Sequence, residues 1–403
     1  MAEIDRMILG RRAALGVVAG LAATPVAAFA PRQRSCGRTT TVWATANAPL
    51  EYPIADRTVR LAVRATGDAP RLRARISNAF GTAPLRIGSL HVGARASGPA
   101  IRPGSNRRAT FNGQAAVEIP PGGSAISDVV PVPVAANADL LLSIAVAGSP
   151  GQTTGHLRPK DNSYLSGPGD HGAREDGEAF PTVAPHWFFA DALVGEDCLG
   201  AGAVAIIGDS ITDSGGTPRG AYQGWVDLLG HRLARLPEPQ RLGLVNAGIS
   251  GNRVAAERPG SGPSALARLD RDVLSHAGVH TLIIFEGIND IYGTPITAGP
   301  LIQAHAQLAL RARLAGLRVI GATLLPTRRQ GFTAEREGVR AALNGFIRTS
   351  PLYDRRIDFE AGVRDPADPL ALLPAYDSGD RLHPSPAGYR ALAEAVPLGV
   401  LYP

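Results

Sequence analysis

The sequence predicts an α/β fold, a parallel sheet covered by helices on both faces, preceded by an all-β region of jelly-roll-like sandwich type. Three observations carry this. The 403 residues exceed the length of one ordinary domain. From about residue 41 to 190 the apolar residues recur with a period of two, between short breaks rich in Pro, Gly and Asn. After about residue 200 the rhythm becomes strand, loop, helix. The expected division is 1–30, 31–195 and 196–403.

In the β-rich part, "TVRLAVRAT" (58–66) sets Val59, Leu61 and Val63 on one face and Arg60 and Arg64 on the other. "RLRARIS" (71–77) repeats the pattern, with Leu72, Ala74 and Ile76 inward and Arg71, Arg73 and Arg75 outward. The arginines are expected to be solvated, as charges on a strand face that also discourage edge pairing. Further strand candidates are "LRIGSLHVG", "ATFNG", "AAVEIP", "SDVVPVPV" and "LLLSIAVAG". Many short strands at regular spacing suit a jelly-roll sandwich.

In the second part, "AVAIIG" (203–208), "GLVNAGI" (243–249), "TLIIFEGI" (281–288) and "RVIGATLLP" (318–326) are near-continuous apolar runs. Strands buried on both faces of a parallel sheet read this way. Between them, 225–236, 264–275, 301–316 and 334–350 carry apolar residues at three- and four-residue spacing, the period of a helix with one buried face.

The first thirty residues have the layout of an export signal. Arg11 and Arg12 precede the uncharged run "AALGVVAGLAATPVAAFA", and the paired arginines indicate the twin-arginine route. The run is rich in Ala and Gly and contains Pro25, a poor membrane anchor, so no stable span is expected after removal. Pro31 disfavours a cut after Ala30 and moves it to Ala28. The mature protein is expected to be periplasmic or extracellular. The net charge of +6 comes from arginines spread along the chain, which gives no support to nucleic-acid binding. Cys36 and Cys198 are either a disulfide of an oxidising compartment or two separate thiols. Two cysteines without clustered histidines make no zinc site, and no cofactor is expected.

Four segments carry candidate chemistry. Gly208, Asp209 and Ser210 follow the first strand of the parallel sheet, on the side where such sheets bind ligands. "NAGISGNRV" (246–254) follows the second strand, and its glycines permit a tight turn that presents a backbone N–H. "EGIND" (286–290) ends the third and brings the amide of Asn289. In "YDSGDRLHPSPAGY" (376–389), Asp380 and His383 are three apart. In a helix-like turn the carboxylate then holds one imidazole nitrogen while the other faces a nucleophile. Asp209 and Asp213 read as loop-capping residues.

In order and spacing, these segments resemble the four signature blocks of the GDSL, or SGNH, hydrolase family. "SNAFGTAPLRIGSLHVG" (77–93), "GPSALARLDRDVL" (262–274) and "LHPSPAGY" (382–389) add a similarity to secreted bacterial GDSL esterases with a β-rich N-terminal domain. The resemblance implies a three-layer flavodoxin-like domain and a serine esterase. Ser210 would be the nucleophile, His383 the base, Asp380 its orienting acid, and Ser210, Gly251 and Asn289 the oxyanion hole. The substrate would be either acyl or acetyl groups on carbohydrate or a lipid ester. The closing glycine of the Gly-x-Ser-x-Gly elbow is absent, since Thr212 stands two residues after Ser210. The alternative is a non-catalytic carbohydrate- or surface-binding protein that retains the hydrolase fold. The only tryptophans, Trp43, Trp187 and Trp225, offer few platforms for stacking sugars.

Overall fold

Residues 38–293 and 295–403 are described by the structure, a computed structural model. The expected export signal and Cys36 lie outside the described residues. Cys198 ends strand Ala190–Cys198 in a buried position, and burial pushes its thiol up to about 11.

The period-two segments form antiparallel sheets. One has the order Arg38–Ala44, Ala190–Cys198, Arg71–Ser77, Ser124–Ile126. A larger one is centred on Asp139–Ala147, flanked by Arg57–Arg64 and Leu85–Ser97. Val59, Leu61 and Val63 of the larger sheet share an apolar cluster with Leu72, Ala74 and Ile76 of the smaller one, so the inward faces read from the sequence are the buried ones.

The outward faces are not all solvated. Arg60 is fully buried, donating to the carbonyls of Pro99 (2.8 Å) and Arg174 (2.6 Å) and to Ser143 Oγ (2.8 Å), with Phe180 stacked 3.8 Å from its guanidinium. Burial lowers its pKa to about 10. Arg75 is also buried, against Asp191 at 2.7 Å. Segments distant in sequence fold over these side chains and supply the acceptors that a buried guanidinium requires.

The second part is a five-stranded parallel sheet. Numbered along the chain, its strands Gly202–Gly208, Leu242–Gly248, Val279–Phe285, Arg318–Ala322 and Arg355–Ile357 lie in the order 2-1-3-4-5 of a doubly wound sheet. Helices Trp225–Leu233 and Pro386–Ala395 pack together in one group, and Ala298–Leu314 and Ala334–Thr349 in another. Every residue of the first strand is buried, as a central strand covered on both faces requires. The third strand stops at Phe285 rather than running to 288. Gly287 takes φ 125° and a short helix, Ile288–Gly293, begins at once, so Asn289 sits in its first turn.

The second strand would be an open edge, and the β-rich region covers it. Thr45 bridges Asn246 in parallel, Leu244 N donates to Thr66 Oγ1 at 2.8 Å, and Thr41 N donates to Ala277 O at 2.9 Å. Arg75 reaches across to Ser275 Oγ at 2.9 Å. The described residues accordingly fall in one compact unit.

Candidate active site

The register of the sheet puts three loops at one edge. Gly208 pairs with Gly248 on one side and Phe285 on the other, so the segments that follow each of them leave the sheet side by side. Gly208 has no room for a side chain: a Cβ there would lie 2.2 Å from Thr212 Oγ1 and 2.7 Å from Phe285 O. Past it the chain coils tightly. Asp209 Oδ1 accepts from Ile211 N at 2.9 Å, and Ser210 O accepts from Gly215 N at 2.6 Å. Ser210 emerges from this coil.

His383 meets it from the far end of the chain. Ser210 Oγ and His383 Nε2 are 2.9 Å apart, and His383 Nδ1 lies 2.6 Å from Asp380 Oδ2. A carboxylate only accepts, so Nδ1 carries the proton and Nε2 is left to accept from the serine hydroxyl. The turn between acid and imidazole is not helical. Arg381 is left-handed at φ 63°, and Asp377 Oδ1 accepts from Gly379 N and Arg381 N to hold it. Asp380 Oδ1 accepts from His383 N at 2.8 Å and Leu382 N at 3.0 Å. Partial burial would raise the Asp380 carboxyl, but these N–H groups and the imidazole outweigh it and bring it down to about 2. Tyr389 Oη donates to Gly215 O at 2.7 Å and ties the C-terminal helix to the serine loop.

Gly251 follows the second strand at φ 80°, a conformation that favours glycine, and a Cβ there would lie 2.5 Å from Ser261 Oγ. Asn289 Nδ2 is buried without a hydrogen-bond partner among the described residues, a costly state for an amide unless a ligand atom satisfies it. Asp290 accepts from Val254 N (2.8 Å) and Ala255 N (3.1 Å), binding the helix of Asn289 to the loop of Gly251.

Two residues of the other region reach this edge. His156 Nε2 lies 3.0 Å and Lys160 Nζ 3.4 Å from Asp213 Oδ1, while Asp213 Oδ2 accepts from Ser250 Oγ (2.6 Å) and Ser250 N (3.0 Å). Burial alone would raise the Asp213 carboxyl, but Lys160 and His156 hold it below the usual range. Asp213 is therefore more than a loop cap: it fastens the serine loop to the β-rich region and to the residue before Gly251. Asp209 behaves oppositely. Burial, with repulsion from Asp290 and Asp213, raises it to about 7 against the pull of the Ile211 N–H. Among the described residues no group of three or more His, Cys, Asp or Glu could hold a metal ion.

Residues 206–391 match the model of the GDSL-like lipase/acylhydrolase family. The α/β region is a GDSL-family hydrolase domain. The chain that carries this GDSL hydrolase domain is accordingly a carboxylic ester hydrolase, and Ser210, Gly251, Asn289, Asp380 and His383 all lie within the matched span. Solved structures similar to this chain include a GDSL-like lipase from Bacteroides thetaiotaomicron VPI-5482, at 19% identity over 49% of this chain and 87% of that one, with TM-score 0.36. An alpha/beta hydrolase enzyme from the metagenome of Lake Arreo, Spain, is 26% identical over 49% of this chain and 94% of its own, with TM-score 0.38. An acetylxylan esterase from Geobacillus stearothermophilus is 23% identical over 49% and 93%, with TM-score 0.37. A search of the curated proteins finds no match. Among the described residues, no helix is long and apolar enough to cross a membrane.

Proposed function

We propose that this GDSL hydrolase cleaves esters through an acyl-enzyme on Ser210. The observation that carries the reading is the unbroken hydrogen-bond chain from Ser210 Oγ through His383 to Asp380, at 2.9 and 2.6 Å. Ser210 Oγ attacks the ester carbonyl carbon while its proton passes to His383 Nε2. The C–O bond of the resulting tetrahedral intermediate then breaks, and the alcohol leaves with that proton. Water, deprotonated by the same imidazole, attacks the acyl-enzyme and releases the acid. Asp380 keeps the imidazole in the right tautomer and stabilises its cationic form.

Negative charge on the carbonyl oxygen is met by the N–H of Ser210, the N–H of Gly251 and Asn289 Nδ2, each worth on the order of 2.7 to 4 kcal/mol at the transition state. The unpartnered Asn289 amide supports this assignment. For the alcohol, we favour a carbohydrate over a lipid. The loop of Asp380 borders an open groove of ≈ 630 Å³ lined by the charged Arg328, Asp365, Asp368, Asp377 and Arg381 together with Ala371, Leu372 and Pro374. Charged groups in this number, with Arg328 paired to Asp368 at 2.6 Å, suit hydroxyl groups better than long acyl chains. We read the β-rich region as a jelly-roll-like sandwich, and residues 1–30 as an export signal that delivers the enzyme to acylated polysaccharide outside the cytoplasm.

Hydrolysis of p-nitrophenyl esters from acetate to palmitate, beside acetylated xylan, tests the proposal with Ser210→Ala as control. Serine-dependent activity confined to acetate and the acetylated glycan is expected. A maximum at long chains would make the substrate a lipid ester, and full activity in Ser210→Ala would overturn the mechanism.

A further inference from the structure

Arg268, in helix Ala265–Leu269, is fully buried, and all five of its N–H groups are spent. Nη2 donates to Gly208 O (3.1 Å) and Glu286 Oε2 (3.4 Å). Nη1 donates to Ala247 O (2.6 Å) and Asp272 Oδ2 (3.2 Å), and Nε to Asn252 Oδ1 (3.0 Å). The partners are not scattered. Gly208 stands two residues before Ser210, Asn252 directly after Gly251, and Glu286 three residues before Asn289. One planar guanidinium thus touches each backbone segment that bears an oxyanion donor. Asn252 passes the restraint on, donating from Nδ2 to Ser261 O (2.7 Å) and Pro263 O (2.8 Å). The helix then widens into a π-turn, Asp270–Leu274, that carries Asp272, a feature common near functional sites.

We infer that Arg268 is a positioning residue that fixes the three oxyanion donors relative to one another without touching substrate. This rests on the serine mechanism proposed above. Rigid planarity explains the choice of arginine. A lysine could keep the charge beside Asp272 and Glu286, but as a single point it could not span three loops. A shift of about 1 Å in such a site can cost about a hundredfold in rate.

The test compares Arg268→Lys and Asn252→Ala with Ser210→Ala on p-nitrophenyl acetate. The readouts are kcat, KM, the inhibition constant of a phenylboronic acid that forms a tetrahedral serine adduct, and active sites counted with a fluorophosphonate. In Arg268→Lys, kcat per counted site is expected to fall about a hundredfold. KM should change little and boronate affinity should fall in parallel, as donors that act only in the transition state require. Wild-type kcat per counted site in Arg268→Lys would mean that charge alone matters and would overturn the inference. Should that variant not fold, Asn252→Ala decides, because it removes one strut without stranding a charge. About tenfold lower kcat per site is expected for it on the same positional argument, and an unchanged value overturns the inference. Activity surviving in Ser210→Ala would sink the serine mechanism itself, an outcome separate from either variant.

Discussion

His156 and Asp213 lie 3.0 Å apart, one in the β-rich region and the other on the loop that carries Ser210. Both are buried, and Lys160 and Ser250 complete the cluster. Removing one member of a buried charged cluster strands the others, typically at about 3–5 kcal/mol. Asp213→Ala is therefore expected to lower unfolding stability by about that amount. It should also lower kcat, since Ser250 next to Gly251 loses its acceptor. Urea unfolding and initial rates on one preparation check both.

Asn289→Ala should leave the fold intact and lower kcat by about 10²–10³, the measured range for losing one oxyanion donor elsewhere. Its Nδ2 has no partner to strand. Unchanged thermal unfolding together with unchanged KM would separate this loss from misfolding.

Asp380→Asn is expected to reduce kcat on the order of 10⁴-fold, the effect seen when a triad acid becomes an amide and the imidazole takes the wrong tautomer. A loss below about tenfold would show that the three N–H and imidazole contacts of Asp380 serve the turn and not the reaction.

Asp209 gives a pH-dependent prediction. Its folded pKa of about 7 lies above the ordinary value of 3.8, so the unfolded chain loses this proton first as pH rises. Ionisation then destabilises the fold progressively between about pH 4 and pH 7, and levels off above that. Asp209→Asn, which can still accept from Ile211 N, removes the penalty. The Tm gap between variant and wild type should be near zero at pH 4, open up to pH 7 and stay constant at pH 8. A gap that shrinks with rising pH would refute the assignment.

Residues 199–403 expressed alone should aggregate. They would expose the strand Leu242–Gly248 as an unpaired edge, now covered by Thr45 and Thr66. Size-exclusion chromatography decides it, and a monodisperse monomer would contradict the expectation.

What was legible in the sequence followed from local physics. Apolar runs of 203–208 and 243–249 mark strands because both faces of the sheet are covered, and the GDSL and glycine blocks sit at their ends, while the asparagine block follows Val279–Phe285 and the histidine block precedes the helix Pro386–Ala395. Asp380 and His383, three apart, do lie within 2.6 Å of each other, although Arg381 makes the turn left-handed instead of helical. What could not be read depends on segments far apart in the chain. Arg60 looked solvated because its cover at Arg174 comes 114 residues later. His156 and Lys160 carry no motif, and their meaning appears only once Asp213 is beside them. Arg268 looked like one more arginine on a helix, since the acceptors it holds, Gly208 O, Ala247 O and the Glu286 carboxylate, belong to three different strand ends.

The hydrogen bond between Thr66 and Leu244 joins positions 178 residues apart. Contacts of such long range form late and make folding slow. A chain that is synthesised from its N-terminus completes residues 38–198 before the strand Leu242–Gly248 exists. The β-rich region then works as a mould for the hydrolase, present in time to claim that edge before a second copy can.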